Sequence, residues 1–410
     1  MGSLPHLPAD SSLAFLTEGY RFGQHRFDRL DTDAFSTRLL GRRVTMLRGA
    51  DAARFFYEGG RFTRDRALPV SVLHSLQDEG SVQTLAGDAH RRRKGMFLGM
   101  IDDAGMSALV DAFRRRWQNA VPRWAQQPSV HLHDEVARLL TGAACDWAGI
   151  PLTDDELDAR TGEFLAMFGR AGTFGPLNWA ARAQRLRTEA WARRVVGEVE
   201  PVPGSPLEAI VRHVDADGQP LTRDAAAVEL LNVLRPTVAV ARFVVFAAWA
   251  LRRHPEWASR FAAGDDDELG AFVQEVRRFS PFFPVVGGRA AADLEWQGIP
   301  FPRDSWVLLD LFATNRHHTI WVDPERFDPT RFRSPHGRNE FIPQGAGVAT
   351  DGHRCPGEEP TVDLLAESVR LLTRGMRYTV PPQDLRVSLR RFPAIPQSGF
   401  VMTDVRPSAG

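Results

Sequence analysis

The chain has 410 residues, and its 51 basic and 51 acidic side chains give a formal net charge of +0. This balance gives no reason to expect nucleic acid or an anionic membrane surface as a partner. With 2 cysteines, Cys145 and Cys355, the chain cannot build a disulfide framework or an all-cysteine metal cluster. Lys94 is its only lysine.

The hydrophobic segments are too short to predict a membrane span. The longest apolar run covers residues 243–251, whereas a spanning helix needs about 20 residues. The N-terminal residues are polar and interrupted by proline, and they lack the apolar centre of a signal peptide. We therefore expect a cytoplasmic protein that makes no membrane contact.

In chain order, the first half has the hydrophobic periodicity of helices. A hairpin is predicted at 38–47, and a short helix follows at Ala52–Glu58. The further predicted helices are Gly87–Met100, Ala104–Ala125, His133–Trp147, Thr153–Gly169 and one that runs from Asn178, as its N-cap, to Val199. Residues 201–206 are rich in proline and glycine, but helices continue on both sides, so we interpret them as an internal loop.

The second half begins with the longest predicted helix. This helix has Thr222 as its N-cap and runs for about eight turns toward Arg253. The other elements predicted here are the helix Asp267–Phe279, the strands Leu294–Trp296, Trp306–Leu309 and Leu385–Leu389, and a helix from near Gly357 past Leu372. The pattern indicates a mainly α fold, one domain over residues 1–410, with a small β region late in the chain.

Cys355 lies between a loop rich in glycine and proline and an apolar helix. At a helix N-terminus, the dipole and the free backbone N–H groups stabilise a thiolate. A single thiolate so placed suits one axial metal bond. A small, buried and inert cysteine is the commoner alternative, and it describes Cys145 well.

Three motifs together carry a resemblance to a known family. They are Glu275-Val276-Arg277-Arg278 on a helix, Asp328-Pro329-Thr330-Arg331-Phe332 after it, and His353-Arg354-Cys355-Pro356-Gly357-Glu358. In order and spacing, these motifs resemble those of the cytochrome P450 superfamily over essentially the whole chain. The resemblance implies the P450 fold, a haem b with Cys355 as iron ligand, and a buried ion-pair set of Glu275, Arg278 and Arg331.

The cysteine loop departs from the usual family pattern. The places of the common phenylalanine and glycine, seven and four residues before the cysteine, hold Val348 and Asp351. Gly345 and Gly347 lie further upstream, so the loop is longer than usual.

The long helix departs from the pattern as well. Most members carry an acid–alcohol pair there, but residues 231–239 contain no carboxylate and instead contain Arg235-Pro236. The neighbours of Arg235 on its helix face are mostly apolar, so a guanidinium there needs an anion. An arginine that reaches solvent or pairs with an internal carboxylate is the alternative. Because Pro236 cannot donate a backbone hydrogen bond, we expect a kink at this point.

Both departures resemble the fatty-acid peroxygenase branch of the superfamily, as does the C-terminal segment 398–401. The resemblance implies that Arg235 binds the carboxylate of a fatty acid, and that this carboxylate transfers the proton of hydrogen peroxide in place of a protein acid. No redox partner protein is then required. With the acid end held near the iron, hydroxylation is expected at the α or β carbon.

Further site residues follow from the same resemblance. Gln83 matches a position over the haem where hydroxylating members tend to carry glutamine and decarboxylating members histidine, so mainly hydroxylation is predicted. Pro236 accompanies Arg235 and Gln83 as a catalytic candidate. Thr173 and Phe283 are the other expected substrate contacts.

The haem propionates are expected at a basic cluster. His90 and Lys94 are four residues apart on one helix face, and Arg64 matches another propionate contact of the branch. A solvated helix face is the alternative for such a basic run.

Other functions are compatible with the sequence. The protein could be a fatty-acid decarboxylase that forms terminal alkenes, or a reductase-dependent P450 monooxygenase acting on another carboxylic acid. A haem-thiolate sensor without turnover and a structural helical protein without haem are the remaining alternatives.

Overall fold

The computed structural model describes residues 4–67, 81–169, 176–350 and 352–408, with the backbone alone for 176–183. The fold is mainly helical. The α-helices are α1 Ser12–Glu18, α2 Arg21–Leu30, α3 Ala50–Tyr57, α4 Gly87–Met100, α5 Asp103–Trp124, α6 Leu132–Ala148, α7 Asp154–Gly169, α8 Pro176–Glu198, α9 Pro206–Val211, α10 Arg223–Ala239, α11 Ala241–Arg253, α12 Pro255–Ala262, α13 Leu269–Phe279, α14 Leu311–Thr314 and α15 Glu358–Arg370. The strands are β1 His6–Asp10, β2 Ala34–Leu39, β3 Arg42–Leu47, β4 Phe62–Thr63, β5 Val130–His131, β6 Val285–Ala290, β7 Leu294–Trp296, β8 Ile299–Phe301, β9 Trp306–Asp310, β10 Met376–Thr379 and β11 Val401–Pro407.

Most predicted helices are confirmed to within two residues at their ends. The long helix begins as predicted, because the Thr222 side chain accepts a hydrogen bond from Ala225 N at 3.2 Å. Asn178 is not an N-cap, since α8 already begins at Pro176. A 3₁₀ segment, Pro329–Arg333, and a π-helical turn, Leu371–Gly375, complete the helical structure.

The long helix continues through Pro236, and its pattern is interrupted four residues later, at Val240. There the Val240 N–H bonds to Thr237 O at 3.2 Å, which closes a tighter turn than an α-helix does. The helix is therefore interrupted at Val240 and not at Pro236. Residues 223–253 are long and apolar enough for a membrane span, but 83% of the most apolar window is buried in the protein, as in a core helix.

The main sheet is larger than predicted and joins both halves of the chain. Its strand order is β1-β2-β3-β9-β6-β4. The predicted hairpin is confirmed as the antiparallel pair β2–β3, and β3 then pairs in parallel with β9. The expectation of sheets mainly late in the chain is thus wrong. The strand predicted at Leu385–Leu389 is also wrong, because a single bridge from Val387 to Pro396 forms there.

A buried ion-pair set connects α13 to the following loops, as the three motifs predict. Arg278 donates two hydrogen bonds to the Glu275 carboxylate, at 2.6 and 2.7 Å, and Arg331 lies 3.4 Å from the same carboxylate. The remaining Arg278 donor groups bond to backbone carbonyls of residues 315, 324 and 326. This set holds the long connection after β9 against the helical core.

Candidate active site

A cavity of about 540 Å³ lies between the long helix pair α10–α11, helix α4 and the loop that precedes α15. Its surface is mostly apolar. The basic residues on its wall are Arg64, His90, Lys94, Arg235, Arg242, His353 and Arg354, and no carboxylate of the described residues lines it. Such a cavity suits a ligand that is largely apolar and carries anionic groups.

Cys355 lines this cavity at the end of a loop whose path requires glycine. Gly345 and Gly347 have φ of 104° and 77°, in the region that other residues rarely adopt. A Cβ on Gly345 would lie 2.7 Å from the Tyr57 hydroxyl oxygen. The glycines that the sequence shifts upstream therefore let this loop pack closely on α3.

The sulfur of Cys355 has polar neighbours that hold the loop in place. Cys355 N donates to Gln344 O at 3.2 Å, and the Gln344 side-chain amide lies 4.0 Å from the sulfur. Burial raises the pKa of the Cys355 thiol, and the backbone N–H of Gly357 opposes that rise. A buried thiol of this kind becomes a thiolate when it binds a metal.

An ion-pair group braces the loop from the side of α13. Arg277 and Arg354 both contact the Glu358 carboxylate in the first turn of α15, the latter at 2.5 Å. Arg277 also donates to Gln344 Oε1 at 2.9 and 3.1 Å. The sequence signal for Gln344 was weak, because its role depends on this contact with a helix 67 residues away.

Arg235 is 4% exposed and lines the cavity. Its Nη2 donates to Asn232 Oδ1 at 2.9 Å, one helical turn earlier. The Asn232 Nδ2 in turn donates to Glu229 Oε2 at 2.8 Å. Arg235 is thus connected to an internal carboxylate, that of Glu229, through the Asn232 amide.

Glu229 is fully buried behind this amide and does not line the cavity. It accepts hydrogen bonds from Val82 N at 2.8 Å and from Arg93 Nη1 at 3.1 Å. Arg93 also pairs with Asp215. Sequence reasoning missed Glu229, although its spacing from Asn232 and Arg235, three and six residues, places all three on one helix stripe.

Thr237 has a hydroxyl group near the place of the usual acid–alcohol pair, but this hydroxyl donates its hydrogen bond within its own helix. The Thr237 hydroxyl, next to Pro236, donates to Val233 O at 2.9 Å and so satisfies the backbone of its own helix. Pro236 and Thr237 both line the cavity.

Two predicted substrate contacts lie on the cavity wall. Gln83, after the Val82 that bonds to Glu229, is partly buried there, and Phe283 is 40% exposed. The Phe283 ring packs edge-on against Phe282 at 4.8 Å. Thr173 lies outside the described residues, as does Asp351.

The predicted propionate cluster is brought together, with one addition. The rings of His90 and His353 lie 4.1 Å apart, and both residues line the cavity with Arg64. Burial, with the nearby cations, lowers the pKa of His90 to about 4 and that of His353 to about 2. Since these groups repel one another's charge, the cluster is suited to anions. His353 belongs to the cysteine motif, but the sequence prediction did not include it in this cluster.

Lys94 is buried next to this cluster and contacts the cysteine loop. Its Nζ donates to Arg354 O at 2.8 Å and also bonds to Gly352 O. The ammonium therefore links helix α4 to the backbone on both sides of His353.

Arg242 is a second buried arginine on the cavity wall, two turns after Arg235. Its Nε has no hydrogen-bond partner among the described residues, and its guanidinium lies 5.7 Å from the Phe168 ring centre. Burial lowers its pKa to about 10. Arg242 immediately precedes the longest apolar run of the sequence, residues 243–251.

These features fit a haem bound through a thiolate. The cavity has a cysteine sulfur on one part of its wall and, at Arg64, His90 and His353, a cationic cluster without a carboxylate among the described residues. A large apolar macrocycle with two carboxylates matches that distribution.

Comparisons with known proteins agree with this geometry. A family model for cytochrome P450 matches residues 269–359. A solved variant of cytochrome P450SP alpha (CYP152B1) is 41% identical, with 98% of this chain and 100% of that chain covered and a TM-score of 0.95. The chain belongs to the cytochrome P450 family. The long helix, the cysteine loop and the ion-pair set of Glu275 are thus parts of a P450 fold, whose cofactor is a thiolate-ligated haem.

Two further P450 structures were solved with fatty acids. Cytochrome P450EX alpha (CYP152N1) with myristic acid is 38% identical, with 100% of both chains covered and a TM-score of 0.96. A variant of cytochrome P450 OleT in complex with arachidonic acid is 28% identical, with the same coverage and a TM-score of 0.96.

Proposed function

We propose that this P450 is a peroxygenase that uses hydrogen peroxide to hydroxylate long-chain fatty acids at the α or β carbon. The observation that carries the proposal is Arg235, a buried cation in an apolar cavity whose described wall contains no carboxylate. A guanidinium on this apolar wall can bind the anionic head group of a ligand that enters the cavity. The fatty acids in the two related structures support the substrate class.

Arg235 binds the fatty-acid carboxylate. A guanidinium offers two parallel N–H donors to a carboxylate, which fixes both the position and the plane of that group. Asn232 already occupies Arg235 Nη2 from the side of the helix, so the guanidinium is held in one orientation. The acid end of the substrate is then pinned, and the carbons nearest to it, Cα and Cβ, are the ones presented for oxidation.

The bound carboxylate also moves the proton. Haem b, ligated by Cys355, supplies the chemistry that cleaves the peroxide O–O bond, which a thiolate ligand favours. The carboxylate on Arg235 takes a proton from the peroxide and returns it to the departing oxygen. No described residue on the cavity wall has a carboxyl group for this task. No redox partner is required, because hydrogen peroxide already contains the two electrons that a reductase would have to add to dioxygen.

The other wall residues shape the pocket. Gln83 and Pro236 lie over the reacting end, and Phe283 covers the alkyl chain, with Thr173 as a further contact. Arg64, His90 and Lys94 bind the haem propionates together with His353, and the whole chain acts as one cytoplasmic domain. Gln83, rather than histidine, favours hydroxylation over decarboxylation.

The test is a peroxide assay with a panel of fatty acids, with products identified by mass spectrometry. Arg235→Ala is expected to lower peroxide-driven turnover at least about 100-fold, because the proton carrier is lost, while the Soret band shows that haem remains bound. Arg242→Ala is the matched control, the same substitution on the adjoining helix α11 and the same cavity wall, and should retain most activity. Wild-type turnover in Arg235→Ala would contradict the proposal.

The same assay separates the alternatives. Terminal alkenes as the major product would select a decarboxylase, and turnover only with NAD(P)H and reductase proteins would select a conventional monooxygenase.

A further inference from the structure

We infer that Glu229 is a positioning residue for the proposed carboxylate site. Through Asn232 it sets the orientation of the Arg235 guanidinium, and through Val82 N it fixes the segment that carries Gln83. The inference rests on the proposed role of Arg235, but it concerns a residue that lies outside the cavity wall.

The first step is the polarity of the Asn232 amide. An ionised carboxylate only accepts hydrogen bonds, so the group of Asn232 that faces Glu229 must be the Nδ2 donor. The Oδ1 acceptor then faces the other way, toward Arg235, which is donor-only. The carboxylate therefore dictates that Arg235 meets an acceptor.

The second step is the ionisation of Glu229. Its described hydrogen-bond neighbours, Val82 N, Arg93 and Asn232 Nδ2, are all donors. A protonated carboxyl would place its own O–H against one of these donors. Burial raises the pKa of Glu229, and these same donors oppose the rise. Arg93, held by Asp215, supplies the compensating charge.

The third step is the contact between Glu229 and the segment of the cavity wall that contains Val82 and Gln83. Val82 N and Arg93 Nη1 share Glu229 Oε1, while Asn232 occupies Oε2. Val82 and Gln83 line the cavity, as do Asn232 and Arg235. One buried carboxylate, 147 residues from Val82 in the chain, thus holds two parts of the cavity wall.

The variant Glu229→Gln tests this link because it keeps the size of the side chain but replaces one of its two acceptor oxygens with an NH2 donor. If the new amide group faces Asn232, the Asn232 amide must rotate and point Nδ2 at Arg235, a contact between two donors. If it faces Val82 N and Arg93, two donors lose their acceptor. Each arrangement disturbs one wall of the cavity.

The experiment uses the full-length protein loaded with haem. We measure the Kd for a long-chain fatty acid by calorimetry and the hydrogen exchange of the Val82 amide. Glu229→Gln is expected to raise the Kd about tenfold, as for a lost hydrogen bond to a charged group, and to accelerate Val82 exchange with unchanged haem content. Glu229→Asp, which remains acceptor-only, should recover part of the affinity.

The control is Glu367→Gln, a buried carboxylate that pairs with Arg114 and does not line the cavity. It should leave both readouts at wild-type values.

Two results would overturn the inference: a Kd within about twofold of wild type in Glu229→Gln, or equal losses in Glu229→Asp and Glu229→Gln. Arg235→Ala, measured in parallel, separates the two levels. Normal fatty-acid binding by Arg235→Ala overturns the proposed function itself, and with it the inference.

Discussion

Two fully buried glutamates, Glu275 and Glu229, each pair with an arginine, but their networks end differently. Glu275 has a bidentate contact with Arg278, whose other donors end on backbone carbonyls. Glu229 accepts a hydrogen bond from Arg93 Nη1 and is connected through Asn232 to Arg235, a side chain on the cavity wall. A network closed on backbone fixes the path of the chain, whereas one that ends on a side chain fixes the direction of a functional group.

The largest expected effect comes from breaking the closed network. Glu275→Gln leaves Arg278 buried without its anion, which costs about 3–5 kcal/mol of folding free energy. We expect poorly soluble protein with little bound haem, measured by thermal denaturation and the Soret band. If the variant melts near the wild-type temperature with full haem content, the contrast between the two networks fails.

Asp310 sharpens the comparison because it is a buried carboxylate that accepts no hydrogen bond from a guanidinium of the described residues. Burial raises its pKa to about 7. Between pH 4 and 7 the unfolded chain has therefore already lost a proton that the folded protein keeps, so stability falls as pH rises through this window, by on the order of 3 kcal/mol.

Asp310→Asn keeps the N-cap oxygen that accepts from Ala313 N and removes the titration. Denaturant unfolding at several pH values should show that the free energy of unfolding changes less with pH in the variant than in the wild type. Parallel curves for the two proteins would contradict the assignment.

A smaller effect is expected from a substitution in the Glu229 network, which ends on the Arg235 side chain. Asn232→Asp places a carboxyl group between Glu229 and Arg235, where its oxygen on Arg235 competes with the fatty-acid carboxylate. The Kd for the fatty acid should rise about tenfold, in line with a charge-assisted hydrogen bond. Calorimetric titration measures it, and tighter binding by the variant would show that Arg235 does not bind the acid end.

The smallest effect concerns Arg242, a buried cation whose Nε has no hydrogen-bond partner among the described residues. Arg242→Met removes the cost of desolvating its guanidinium and loses a weak contact with the Phe168 ring. We expect the free energy of unfolding to stay the same or rise by about 1 kcal/mol. A clear drop in melting temperature would reveal a partner for this arginine.

Elements with local signals could be predicted from the sequence. Helix α4 lies at its predicted bounds, and Thr222 caps the long helix, because periodicity and capping are properties of neighbouring residues. The main sheet could not be predicted in the same way. Strands β3 and β9, which pair as Thr45 with Val307, are more than half the chain apart, and no local pattern encodes that pairing.

The same distinction applies to the site. Cys355 and Arg235 stand out because each is chemically unusual in its own segment. Glu229 looks like an ordinary polar residue on an amphipathic helix, since its partners Val82 and Arg93 come from segments 147 and 136 residues away. Its role becomes visible only when the fold brings those segments together.

The burial of Lys94 has a practical consequence for chemical labelling. It is the only lysine in the chain and is 2% exposed, so the folded surface offers no ε-amine to acylating reagents. Acylation of Lys94 requires its Nζ to leave the carbonyls of Gly352 and Arg354. The rate of that reaction, followed by intact-mass spectrometry, therefore reports how often the cysteine loop opens at this single site.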